Sequence, residues 1–332
     1  MHLQRVLRAT NRIILAFLPT CLASASAFAG NFAFVTNQNS SDLSVLDLDL
    51  RIEKTRIAIP GKPAGIVVSS ELGAFFTVSP DSSTVRKFDL ETCLEDSQIV
   101  LDGGPTGIAA DPATRRIFVS DWYNARVFVI DAEAMTLLGE LGTGSAPAGL
   151  VVARDGSWLA SAERDADQVS LFNMSDLSLR MVVKVGERPY GLSEGPDGLL
   201  YVANVGSNSV TVLDPVKGTV HADVPVGERP YGVSFAAGNA YVTDQYADTI
   251  SVISLDGFVL SGTIDVGEYP EGIDVTADGR TVVSTNWFSN TVSLIDPATN
   301  KVIGEIETGD GPRAFGRFTY MTRKGEEPCR AH

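Results

Sequence analysis

Val185-Gly186-Glu187-Arg188-Pro189-Tyr190-Gly191 returns unchanged as Val226-Gly227-Glu228-Arg229-Pro230-Tyr231-Gly232. The Pro-x-Gly step at its centre also stands at Pro63-Ala64-Gly65, Pro105-Thr106-Gly107, Pro147-Ala148-Gly149 and Pro270-Glu271-Gly272, with a degenerate seventh copy at Pro312-Arg313-Ala314. Successive prolines are 42, 42, 42, 41, 40 and 42 residues apart, a near-constant period that marks a repeat architecture.

Each period has the same grammar. A short apolar run follows the glycine, as in Ile66-Val67-Val68 or Val233-Ser234-Phe235, and a turn such as Ala277-Asp278-Gly279 ends it. A second run comes next, Tyr201-Val202-Ala203-Asn204 or Tyr241-Val242-Thr243-Asp244, then a polar loop such as Gly206-Ser207-Asn208-Ser209. The third is an alternating strand ending in Asp, Val210-Thr211-Val212-Leu213-Asp214, and a fourth, such as Lys301-Val302-Ile303-Gly304-Glu305-Ile306, leads back to Gly-x-x-Pro. Four short strands in about 40 residues predict one blade of a β-propeller.

The chain ends set the blade number. After Pro312 one strand remains, over 315–320, whereas the N-terminal region supplies three, Phe32–Asn37, Leu43–Asp47 and Thr55–Ile59. One plus three makes a seventh blade, so the expectation is an all-β, seven-bladed propeller of four antiparallel strands per blade. Its last blade is closed by N- and C-terminal strands, which removes an exposed sheet edge. Phe34-Val35-Thr36-Asn37, Tyr201-Val202-Ala203-Asn204 and Tyr241-Val242-Thr243-Asp244, with the Val-Gly-x-x-Pro-x-Gly turn, resemble the YVTN β-propeller repeat family over essentially all of 31–320. That resemblance implies the fold; such propellers include exported proteins, surface-layer-associated proteins and relatives of quinoprotein oxidation systems, and fold alone does not choose among them.

Residues 1–29 read as a secretory signal peptide: Arg5, Arg8 and Arg12, an apolar stretch from Ile13 to Leu18, and Ala27-Phe28-Ala29 before a cut at Gly30. Cys21 is preceded by Leu18-Pro19-Thr20, a poor lipobox. The expected organisation is therefore a signal over 1–29, a propeller over 30–320 and a tail over 321–332, in an exported, periplasmic or secreted protein. No later segment offers the roughly 20 apolar residues of a membrane helix, so no membrane insertion is expected. The formal charge of −15 becomes −18 when three arginines and no acid leave with the signal. Such a charge opposes nucleic-acid phosphates.

Antiparallel strands put the Pro-x-Gly loops and the loops between second and third strands on one face, here the top. That face collects Arg188, Tyr190, Arg229, Tyr231, Tyr269, Glu271 and Arg313 from the first set. Trp122, Tyr123, Arg164, Tyr246, Trp287 and Phe288 come from the second. Aromatic and arginine side chains are enriched at recognition surfaces. The candidate site for a ligand or partner is therefore Trp122, Tyr123, Arg188, Tyr190, Arg229, Tyr231, Tyr246, Tyr269, Trp287 and Arg313. The competing explanation is that these residues merely pack blade corners.

Catalysis finds less support. Only His221 and His332 remain after the signal is cut, which argues against a histidine base or a multi-histidine metal site in the funnel. No Cys-x-x-Cys-His or vicinal cysteine pair occurs, so no haem or quinone cofactor is expected. Glu163, Asp165 and Asp167 on a top loop, with Glu194 and Asp274 on innermost strands, leave an acidic or Ca²⁺ role open. The reading is thus a monomeric, non-enzymatic binding or scaffolding module, with no catalytic and no metal residues assigned. The alternative is a hydrolase, a lactonase or an accessory protein of a periplasmic quinoprotein oxidation pathway. Cys93 and Cys329 are left as an even pair on the bottom faces of neighbouring blades, and one disulfide between them is expected, with two free thiols as the alternative.

Overall fold

The computed structural model describes residues 29–324 and 326–330. The signal-peptide reading lies outside the described residues except for its last position. Seven β-sheets form a ring, one for each period of the sequence. Six blades span 65–100, 105–142, 147–184, 189–225, 230–265 and 270–307, each an antiparallel meander. In the fourth, the strands are Pro189–Glu194, Leu200–Asn204, Ser209–Asp214 and Thr219–Pro225, from the channel outward. The second and third strands are buried throughout, whereas the outermost is exposed at most positions, as expected for sheets stacked face to face about a channel. The core consists of apolar clusters between neighbouring blades, for example Tyr201, Val212 and Val224 packed against Val233, Val242 and Ile253.

Two recurring devices lock adjacent blades. Where the third position of the run that ends the second strand carries a hydroxyl, it bridges two blades. Thr243 Oγ1 accepts from the Gly232 N–H at 2.9 Å and donates to the Glu271 carbonyl of the next blade at 2.8 Å. Ser120, Thr285 and Thr36 make the same relay to the carbonyls of Ala148, Arg313 and Ala64. The repeat glycine is required by close approach: a Cβ at Gly191 would stand 2.1 Å from the Tyr231 carbonyl oxygen.

The closing blade joins Thr319–Met321 to Asn31–Asn37, Asp42–Asp47 and Ile52–Ala58. The single strand expected over 315–320 is divided. Phe315–Arg317 pairs in parallel with Gly65–Ser69 of the first blade, giving that sheet a fifth strand, before Thr319 enters its own blade. Asp274 enforces the step, because one carboxylate oxygen accepts from the Phe318 and Thr319 N–H groups and from the Thr319 hydroxyl, at 2.8 to 2.9 Å. Gly316 permits it, since a Cβ there would lie 2.1 Å from the Ile66 carbonyl. Asp274 therefore serves the closure.

A disulfide joins Cys93 and Cys329, 236 residues apart in sequence. It fastens the C-terminal tail beneath the seam between the closing and first blades; the usual contribution of such a bridge is about 2–4 kcal/mol. Among the described residues no helix is long and apolar enough to cross a membrane.

Candidate functional site

The top of the ring is built on positive-φ residues. Arg188, Arg229 and Tyr269 each precede the repeat proline with φ of 51°, 57° and 57°. Non-glycine residues avoid this region unless their surroundings hold them there. The holding contacts recur: the Arg188 N–H donates to Asp167 Oδ1, that of Arg229 to Asn208 Oδ1 and that of Tyr269 to Asp248 Oδ1, each from the loop of the preceding blade. These loops therefore present their side chains from a hydrogen-bonded frame.

They surround a cavity of about 680 Å³ at the upper mouth of the channel. Of the ten candidate residues, eight line it: Trp122, Tyr123, Tyr190, Arg229, Tyr231, Tyr269, Trp287 and Arg313. Tyr246 adjoins the rim, its hydroxyl accepting from Arg229 Nη1 at 2.9 Å and its ring lying 4.4 Å from that guanidinium. Arg188 stands outside the cavity lining. The rim continues as an aromatic crescent, with Tyr246 and Tyr269 at 5.6 Å, Tyr269 and Trp287 at 6.0 Å and Trp287 and Phe288 at 4.7 Å between ring centroids. Phe288, Tyr246 and Tyr123 are 60, 51 and 80% exposed, and they are the strongly exposed aromatic side chains among the described residues.

The floor is different in kind. Tyr190 and Tyr231 are buried and packed at 4.4 Å, with Phe315 beside both. Glu271, 3% exposed, faces Arg313 Nε at 3.1 Å and accepts from Gln245 Nε2 at 2.9 Å. Arg313 donates further to the Tyr231 hydroxyl at 2.8 Å and to Gln38 Oε1 at 3.0 Å. Burial raises the Glu271 carboxyl above its ordinary range, against the pull of Arg313. Burial would lower the Arg313 guanidinium, but the Glu271 charge and the two phenols hold it well above its usual value. Burial also raises the Tyr231 phenol. This floor lies between the upper cavity and the channel below, with Glu271 lining both.

Gln38 and Gln245 escaped the sequence reading. They occupy the position after the last residue of the Tyr-Val-Thr-Asn-like run, the column that also supplies Trp122, Arg164 and Trp287. All of that column lines the cavity, so alignment of the repeats on it would have found them.

The top-loop acids considered for a metal are engaged separately. Glu163 is fully buried and accepts from Gln168, Asp165 pairs with Arg164 at 2.6 Å and Asp167 anchors the Arg188 backbone. Among the described residues no group of three or more His, Cys, Asp or Glu side chains could hold a metal ion.

A YncE-like β-propeller profile matches residues 4–322. The chain belongs to the YncE-like β-propeller family. The uncharacterized protein YncE of Salmonella typhi is 24% identical over 181 residues, covering 52% of this chain and 51% of that protein. The aligned stretch thus spans about half the length of this curated relative. Among solved structures, a Lactobacillus plantarum protein superposes with TM-score 0.75 at 18% identity, over 89% of this chain and 99% of its own. Kuenenia stuttgartiensis hydrazine synthase gives 0.72 at 17% identity, over 80% and 92%. At these identities the likeness is one of fold.

Proposed function

We propose that this YncE-like propeller is an exported binding or scaffolding module that engages a partner through the aromatic rim of its upper cavity. The observation that carries this reading is the convergence of Tyr123, Tyr246 and Phe288, all strongly exposed, on one face beside a cavity of about 680 Å³. An exposed aromatic ring forgoes burial free energy, and a rigid apolar ring at a concave mouth is the usual anchor of a binding interface. The buried members of the candidate set, Tyr190, Tyr231 and Arg313, support the rim from below. The Cys93–Cys329 bridge suits an oxidising compartment, and together with the N-terminal leader pattern it supports export. The hydrolase or lactonase alternative would have to recruit Glu271, whose oxygens already meet Gln245 and Arg313. No observation favours that alternative.

The test places a photoreactive phenylalanine analogue at Phe288 and, as a control, at Val302 on the outer edge of the same blade, in the expressing cell. A crosslinked product specific to position 288 and lost with Tyr246→Ser supports the reading. Equal crosslinking at both positions overturns it.

A further inference from the structure

The opposite end of the channel opens into a second cavity of about 760 Å³ on the bottom face, separated from the upper one by the Tyr231–Glu271–Arg313 floor. Its wall follows one repeat position, the third residue after each Pro-x-Gly step. Five blades place Val68, Ala110, Val152, Phe235 and Val275 there, an apolar ring set among polar side chains such as Ser69, Ser193 and Ser234. The other two blades place a charge: Glu194 in the fourth and Arg317 in the closing segment. In a ring of seven, these blades are three apart one way and four the other, the greatest separation the ring permits. The acid and the base therefore stand on opposite sides of the cavity.

Neither charge is needed by the frame, because five blades complete the same position with hydrocarbon. Neither is fully used by its neighbours. Glu194 accepts the Arg154 N–H on Oε2 at 2.7 Å and its carbonyl accepts from the Arg154 guanidinium at 2.9 Å, while no hydrogen bond reaches its Oε1 among the described residues. The Arg317 side chain forms no hydrogen bond or ion pair among the described residues; its charge acts on Glu71, which is itself held by the Ser69 and Ser70 hydroxyls. The remaining acids at this mouth serve local turns or the chain closure: Asp111 caps Ala113 and Thr114, Asp155 caps Ser157, and Asp274 holds Phe318 and Thr319. An apolar cavity of several hundred cubic ångströms with a few placed polar groups is the general form of a small-molecule site.

We propose that this lower cavity binds a small zwitterion with an apolar body, a short apolar peptide with free ends. Its ammonium meets Glu194, its carboxylate meets Arg317, and its side chains lie on the valine and phenylalanine wall. Arg317 suits the carboxylate because a guanidinium can donate two parallel hydrogen bonds to it. The separation of the two charges sets the length of peptide accepted, since each residue adds roughly 3.3–3.6 Å of extended chain. This site is independent of the upper rim, so Tyr246→Ser leaves it intact.

Isothermal titration of the purified, disulfide-bonded protein with leucine, di-leucine, tri-leucine and tetra-leucine tests the proposal. One length is expected to bind best. Acetylating its amine or amidating its carboxylate should each weaken it about tenfold, the effect of losing one charge-assisted hydrogen bond. Glu194→Gln should weaken the free peptide about tenfold and leave the acetylated peptide unchanged; Arg317→Gln should do the same for the free and amidated forms. Thermal melts confirm that both variants fold. No heat with any peptide overturns the proposal, as does equal binding of free and doubly blocked peptides.

Discussion

The two halves of the ring do the same backbone work with opposite side chains. At the middle of the Pro-x-Gly step, the first three blades carry Ala64, Thr106 and Ala148, while the next four positions carry Tyr190, Tyr231, Glu271 and Arg313. In both halves the carbonyl of that residue lies against the glycine of the preceding blade, as at Gly107 with Ala148 and Gly191 with Tyr231. The period is thus set by backbone contact and is indifferent to the side chain. The small half leaves space at the channel top, and the large half fills it: Tyr190 packs on Ala148 and Trp122, and Glu271 and Arg313 pair over the centre. An asymmetric floor can therefore sit in a nearly symmetric frame at no cost to blade geometry.

Removing the central cation should disturb this contrast most. Arg313→Met leaves Glu271 buried opposite no charge, and breaking a buried pair in this way costs 3–5 kcal/mol as a rule. Because the Arg313 side chain is 22% exposed, the lower end, about 3 kcal/mol, is expected. Adding Glu271→Gln should restore most of the loss, and urea midpoints of the two single variants and the double variant measure it. Additive losses would show that the pair is not coupled. The small half offers the control: Ala64→Ser, on the same backbone, should change little.

Much of this was legible beforehand, and the reason is the backbone. The glycines that admit a neighbouring carbonyl, the prolines that end the turns and the two-residue alternation of the strands recur because each blade meets the next identically, so period, blade number and closure are written in the sequence. What was not legible is how individual side chains divide between rim and floor. Tyr190 and Tyr231 stand in the same loops as Arg188 and Arg229, yet the former are buried and the latter reach the surface. That division depends on which side chains meet across the channel, a relation between blades that spacing along one chain does not encode. The short parallel strand at Phe315–Arg317 escaped for a similar reason, because its partner lies some 250 residues away.

A second contrast runs along the last position of the Tyr-Val-Thr-Asn-like run, where the fourth and sixth blades have Asn204 and Asn286 and the fifth has Asp244. The amides donate to hydroxyls of the third strand, Asn204 Nδ2 to Thr211 at 2.8 Å and Asn286 Nδ2 to Ser293 at 2.9 Å. Asp244 accepts from the Ser251 and Thr249 hydroxyls instead, and burial pushes its carboxyl up to about 6 despite them. A carboxyl raised in the folded state holds its proton more tightly than in the unfolded chain. Its cost is therefore absent below about pH 4, grows as the pH rises towards 6, and is complete above that, at about 2–3 kcal/mol. Asp244→Asn should remove this slope and raise stability at pH 7.5 by up to about that amount. Thermal melts from pH 4 to 8 decide it, and parallel pH curves for the two proteins would refute the assignment.

The smallest effect concerns the hydroxyl relay, which four blades possess and three lack. Thr36, Ser120, Thr243 and Thr285 bridge to the next blade, whereas the equivalent positions in the first, third and fourth blades are Val78, Ala162 and Ala203. The backbones nevertheless approach alike, since Gly191 lies against the Tyr231 carbonyl as closely as Gly107 lies against that of Ala148. Ala203 is fully buried at this crossing, so a serine there would place its hydroxyl between the Gly191 N–H and the Tyr231 carbonyl, as Ser120 does between Gly107 and Ala148. Ala203→Ser should therefore gain the net value of a buried hydrogen bond, about 0.5–1 kcal/mol, because both ends find partners. Equilibrium unfolding in urea, with slowed amide exchange at Gly191 and at no distant site, would show that the relay has been installed. A loss of about 1 kcal/mol or more would mean that these three blades are packed too tightly to admit it, and that valine and alanine stand there to fill space the hydroxyl would disturb.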